Sequence, residues 1–211
     1  MLPLSIMTEQ NHDTKTKILE VARVLFADQG FEGTSVREIA KAADVNIASV
    51  NYHFTNKENL FNELRRTGYI ECSQDIRNFF DKENPNIEEL LVYIFRYFNT
   101  RNHDLVMFFK IILSSQHNHM TACSGCSGEE ETYGPPGGLV IAQAIKKEVG
   151  TEVSEADLFW AVRCLFTHVI HNAIMMKCWF KLNNLPFSTE EDIEQSIRRL
   201  GRLVLEDLKK K

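Results

Sequence analysis

The densest grouping of side chains able to do chemistry lies near the middle of the chain, where His117, His119, Cys123 and Cys126 form an H-x-H-x3-C-x2-C array. Two imidazoles and two thiolates make a tetrahedral zinc set, and Gly125 between the cysteines permits a chelating turn. The same Cys123 and Cys126 have the C-x-x-C spacing of a thiol pair that closes a disulfide under oxidant. A third reading is an inert surface loop: the array sits in the 114–138 segment among Gly125, Gly128, Gly134, Gly137, Gly138, Pro135, Pro136 and the acidic run Glu129 to Glu131. The spacing is that of no standard zinc finger. Thiol–disulfide enzymes carry C-x-x-C at a helix start after a strand, and no strand pattern precedes this one, so the chain does not read as an enzyme.

Composition narrows the class further. The chain has 211 residues, 44% of them hydrophobic and 25% charged, which is ordinary for a water-soluble globular protein. Its net charge of −5 excludes wholesale non-specific binding to nucleic acid, so any DNA contact is local. Five scattered cysteines in a chain of this size need no disulfide staples, which points to a reducing cytoplasm. Leu2 to Met7 lacks the basic flank of a secretion signal. The apolar run from Leu158 to Leu182 is interrupted by Arg163, His168, His171, Asn172 and Lys177, so a buried, interface-forming helix is expected there and not a membrane span.

The elements that must position these residues are all helical. Apolar positions recur at three- and four-residue steps almost throughout, and strand alternation is absent, so the fold is expected to be all-α. Ile18, Leu19, Ala22, Leu25 and Phe26 share one stripe of a first helix that ends at Gly30. Thr34 is the expected N-cap of a short second helix, Asp44-Val45-Asn46 a turn, and Ile47 to Phe54 a third helix. Thr55 and Glu58 are spaced as a capping box for a long fourth helix, Asn86 and Glu89 for a fifth, and Ser188 and Glu191 for the last.

Three short helices with a tight second-to-third turn make a helix-turn-helix unit, in which the third helix enters the DNA major groove. Ala40 supplies the small residue where the two helices cross, while Ile39, Val45, Val50 and Phe54 point inward. Asn46, Ile47, Ala48, Ser49, Asn51, Tyr52 and His53 are left facing outward. Thr34 and Lys57, each at a helix start, are candidates for phosphate contact, and Arg37 for a phosphate or a guanine edge. Ser49 and Asn51 are candidate base readers, with Ile47 and Ala48 suited to thymine methyl groups. So apolar a face limits direct readout and favours a contribution from DNA shape.

Thr34-Ser-Val-Arg-Glu-Ile-Ala40, Val45-Asn-Ile-Ala-Ser-Val-Asn-Tyr-His-Phe54 and Asn56-Lys-Glu58, preceded by Ile18-Leu-Glu-Val-Ala-Arg-Val-Leu-Phe26 and Gly30-Phe31, resemble the TetR family of transcriptional regulators. The resemblance covers about Thr14 to Leu64. It implies a DNA-binding domain over residues 12–58 and a helical effector-binding and dimerisation domain over 59–211. It also implies a homodimer on palindromic operator DNA, most often a repressor, released by a small-molecule effector, with Tyr52 and His53 as an aromatic pair on phosphate.

For dimerisation, the last two apolar helices offer seams at Leu158, Val162, Leu165 and Val169, and at Ile197, Leu200, Gly201 and Val204. For an effector pocket, Tyr97, Phe109, Phe166, His168 and His171 combine aromatic walls with polar groups able to orient a ligand. A protein-interaction adaptor without DNA is the competing reading, and the salt dependence of duplex binding separates the two.

Overall fold

The computed structural model describes residues 4–100, 133–150, 152–179 and 189–210, with side chains described over 13–100, 133–150, 152–174 and 189–210. Among them all regular elements are α-helices: α1 (Leu4–Gly33), α2 (Val36–Ala42), α3 (Ile47–Phe54), α4 (Lys57–Glu83), α5 (Ile87–Thr100), α6 (Gly138–Val149), α7 (Glu155–Trp179) and α8 (Glu190–Leu208). The described chain divides into two units, one ending at Gly68 and the other beginning at Tyr69, so α4 contributes its first turns to one unit and the rest to the other.

In the first unit the stripe read from the sequence forms the core. Ile18, Ala22, Phe26, Ile39, Ala40, Val50, Phe54, Leu60 and Phe61 are all buried together. Phe26 and Phe31 both meet Phe61 edge-on, with centroids 5.2 and 4.9 Å away. Each large apolar side chain so buried contributes about 1.5–3 kcal/mol, enough to hold helices too short to persist alone. Gly30 breaks α1 as expected, at φ 74° and ψ 174°, a conformation closed to side-chain-bearing residues. One further turn then carries the helix to Gly33.

In the second unit α5 packs against α7 and α8, and α6 packs against α5 and α7. Ile87, Leu90, Leu91, Ile94 and Phe95 of α5 meet a core that includes Ile141, Ile145, Leu158, Val162 and Leu165. Gly201 of α8 allows a close approach to α5: a Cβ there would lie 3.3 Å from Leu91 Cδ1. Polar ties cross from α5 to α8, among them a forked Arg96–Glu194 pair at 2.5 and 2.8 Å and an Arg202–Glu88 pair at 2.7 Å.

Helix starts follow the capping rules. Asn86 and Glu89 exchange backbone N–H bonds at the entrance to α5, as expected. At α8 the reciprocal pair is Thr189 with Asp192, one residue beyond the expected Ser188 and Glu191. Both pairs have the right spacing; the register that buries Ile193 and Ile197 decides between them.

Candidate nucleic-acid interface

The turn joining α2 to α3 is tight because Asp44 takes a positive φ of 53°, which a short polar side chain tolerates, and the Val45 N–H donates to the Ala40 carbonyl at 3.0 Å. Val50 and Phe54 then fix α3 to the core. Asn46, Ile47, Ala48, Asn51 and Tyr52 remain exposed on the opposite side, Tyr52 at 73%. Asn46 is the N-cap of α3, and its Oδ1 accepts both the backbone N–H of Ser49, at 2.7 Å, and the Ser49 hydroxyl, at 3.0 Å. Ser49 is half-buried beside it.

His53 is half-buried, with Tyr52 edge-on at 5.2 Å. Burial first, and then the neighbouring Lys15 charge, hold its imidazole below the usual range. It is therefore neutral at pH 7 and offers one N–H donor. Lys15 is itself held by Glu63 at 2.9 Å, and Glu63 also takes two bonds from Arg66 at 3.0 Å. Arg37 is exposed on α2.

Two expected phosphate contacts stand elsewhere. Thr34 is buried, 1% exposed, and its hydroxyl donates to the carbonyls of Gly30 at 2.8 Å and Leu25 at 3.1 Å, closing the end of α1. The N-cap of α2 is Ser35, in a reciprocal box with Glu38 that lowers the Glu38 pKa. That Ser-x-x-Glu spacing was present in the sequence and is the signal that identifies the true cap. Lys57 donates to the carbonyls of Phe31 and Thr34 at 2.9 and 3.1 Å, which satisfies the end of α1 from within. At the start of α4 the capping side chain is that of Asn56, which accepts the Asn59 N–H at 2.8 Å, because Thr55 is used at φ 65° to close α3.

The expected subunit seam lies mostly inside the single chain. Leu158, Val162, Leu165, Val169, Ile197, Gly201 and Val204 are buried by the chain itself, whereas Leu200 is partly exposed. The physical reason is that α7 is apolar on two sides, and this side is the one taken by α5 and α8. The other side, with Phe159, Trp160, Arg163, Cys164, Thr167, His168 and His171, forms an open groove with Leu200 of α8. Trp160 and Leu203 are large apolar side chains left 48% and 52% exposed.

The described members of the expected effector pocket fall in two places. Tyr97 donates to Asp75 at 2.9 Å and meets Phe98, which in turn meets Phe166. His168 and His171 instead line the groove, where His168 pairs with the Ser196 hydroxyl at 3.2 Å. Burial, then His171, lower the His168 pKa. Phe109 and the array His117, His119, Cys123 and Cys126 lie outside the described residues.

Comparison with known proteins places this geometry. The model of the bacterial regulatory proteins of the tetR family matches residues 18–64. The chain is similar to YttP of Bacillus subtilis, a probable HTH-type transcriptional regulator, with 40% identity over 106 residues, 50% of this chain and 45% of YttP. It is also similar to IcaR of Staphylococcus aureus, the negative transcriptional regulator of the biofilm operon icaADBC, with 29% identity over 83 residues, 39% of this chain and 45% of IcaR. The match thus spans less than half of each relative. Among solved structures, the fold is shared with FadR of Bacillus subtilis in complex with stearoyl-CoA, at TM-score 0.63 and 18% identity, covering 90% of this chain and 97% of FadR. It is shared equally with reduced NemR of E. coli, at TM-score 0.64 and 15% identity, covering 90% of this chain and 95% of NemR.

Proposed function

The chain belongs to the TetR family of helix-turn-helix transcriptional regulators, and on that premise we propose that it is a repressor, binding a palindromic operator as a homodimer and released by a small-molecule effector. The observation that carries this reading is α3 itself, locked from behind by Val50 and Phe54 while Asn46, Ile47, Ala48, Asn51 and Tyr52 stand exposed in front. In this reading Arg37, Tyr52 and the neutral His53 meet the phosphates, Ser49 and Asn51 meet base edges with Asn46 capping the helix behind them, and Ile47 and Ala48 meet thymine methyl groups.

Between Thr34 and Arg66 the chain carries five basic and four acidic side chains, too even a balance for one subunit to hold DNA by charge alone. Two subunits on half-sites one helical turn apart make up that deficit. The face with Phe159, Trp160, Leu200 and Leu203 is the partner surface in this proposal, since it is the apolar side of α7 and α8 that the chain leaves open. Repression is supported by the role of IcaR, and a small-molecule effector by the stearoyl-CoA complex of FadR. The protein works in the cytoplasm, beside its DNA; among the described residues no helix is long and apolar enough to cross a membrane.

The test is recovery of genomic fragments by the purified full chain, followed by fluorescence anisotropy on the enriched duplex across a salt series. A palindromic sequence is expected, with log affinity falling linearly against log salt. No enrichment, or binding indifferent to salt, overturns the proposal.

A further inference from the structure

A serine hydroxyl in the major groove can ordinarily donate to a base or accept from one, so it discriminates poorly. Ser49 is constrained by its neighbour. The backbone N–H of Ser49 meets the Asn46 side chain at 2.7 Å, and a backbone N–H can only donate. The Asn46 atom facing it is therefore the carbonyl oxygen and not the amide nitrogen. The Ser49 Oγ lies 3.0 Å from that same oxygen. An amide oxygen cannot donate, so the single hydroxyl proton of Ser49 is committed to Asn46, and only lone pairs remain for anything approaching from solvent. The arrangement is anchored, because the same Asn46 oxygen is the N-cap of α3.

Ser49 lies in the first turn of α3, the part of a recognition helix that reaches base edges. Resting on the reading of α3 as that helix, we propose that Ser49 is a specificity-determining residue that reads DNA solely as an acceptor, and so selects a base with an exocyclic amino group. Adenine offers N6 and cytosine N4, whereas guanine O6 and thymine O4 are acceptors at the corresponding places. A keto oxygen opposite Ser49 leaves two acceptors facing one another. The discrimination is adenine over guanine where Ser49 lies over a purine, and cytosine over thymine where it lies over a pyrimidine. Asn46 sets this polarity without itself touching the base.

The experiment uses the full-length protein and duplexes selected from a randomised pool. The position that Ser49 controls is the one that loses its preference in Ser49→Ala. There the wild type is expected to favour A over G, or C over T, by about tenfold or more, and Ser49→Ala to bring each pair within about threefold. Asn46→Ala frees the hydroxyl to donate, so the same discrimination collapses although Ser49 is still present. Asn46→Asp keeps an acceptor and the cap in place; it retains the discrimination while its added charge weakens binding to every duplex alike, which separates loss of polarity from loss of folding. A Ser49-dependent position that favours G or T, no position responding to Ser49→Ala, or wild-type discrimination in Asn46→Ala overturns the proposal. A wild type that enriches no sequence at all overturns the DNA-binding reading beneath it.

Discussion

Lys57 and Phe31 are joined twice: the Lys57 ammonium donates to the Phe31 carbonyl oxygen at 2.9 Å and lies 4.2 Å from the centroid of the Phe31 ring. A second bond to the Thr34 carbonyl makes the first residue of α4 a brace on the turn that follows Gly30, where α1 gives way to α2. A cation used in this way acts on the geometry of the helix-turn-helix before it acts on DNA.

Replacing that ammonium separates the two roles. Lys57→Met keeps the stem and removes the donors, and is expected to cost about 1–2 kcal/mol of folding stability, from charged hydrogen bonds and a cation–π contact at a half-exposed site. Operator affinity falls, but the slope of log affinity against log salt stays at its wild-type value, because no phosphate contact is lost. A slope smaller by about one per subunit would return Lys57 to the phosphate backbone.

Glu63 gives a pH dependence with a definite sign. Its two bonds from Arg66, aided by Lys15 and opposed by burial, hold its pKa at about 2 against an ordinary 4.5. A depressed carboxylate stabilises the fold fully above its unfolded pKa and loses that contribution as pH falls through the folded one, so the window is about pH 4.5 to 2. Glu63→Gln is expected to lose about 1–2 kcal/mol at pH 7, reduced by the screening of its half-exposed partners, and to match wild type near pH 2. Urea denaturation at pH 7, 4 and 2 measures this; a variant whose deficit is the same at all three pH values rules it out.

The partner surface is tested by substitutions on opposite sides of α7. Trp160→Glu and Leu203→Glu are expected to give folded monomers in sedimentation experiments, since both side chains are about half exposed in the single chain. Leu158→Glu and Leu165→Glu bury a carboxylate in the chain's own core and cost several kcal/mol, so they unfold the second unit instead. A dimer that survives Trp160→Glu with Leu203→Glu places the interface elsewhere.

Gly137 holds the entrance to α6 at φ 77°, and a Cβ there would lie 2.7 Å from Cδ1 of the buried Ile76. Strain and overlap act together, so Gly137→Ala is expected to destabilise by about 2–3 kcal/mol. At Gly134, also at positive φ but with open space around it, the same change costs only the strain, about 1 kcal/mol. Thermal unfolding of the two variants side by side checks the order.

Much of this was legible in the residues themselves. The spacing of Ile18, Ala22 and Phe26, and of Ile39, Ala40, Val50 and Phe54, named the core of the first unit, because a short helix has only one side to bury. Adjacent hydroxyls were harder: Thr34 and Ser35 both suit an N-cap, the glutamate three residues on marks Ser35, and the extra turn of α1 after Gly30 turns Thr34 inward. Periodicity also fell short on α7, which is apolar on two sides. It marked the seam at Leu158, Val162, Leu165 and Val169 but not what packs on it, since that depends on where α5 and α8 arrive. The dual use of Asn46 by Ser49 was hidden because one-dimensional spacing says that a cap exists and not what it takes from the residue it caps.

Within its two turns α3 separates two kinds of obligation. Val50 and Phe54 are answerable to the core, whereas Ile47, Ala48 and Asn51 stand clear of it. The exposed positions can therefore be exchanged in an ancestral or laboratory lineage while the core behind them stays as it is. On the proposed reading of α3, a copy of this gene changes its genomic address in a few substitutions while keeping its core intact.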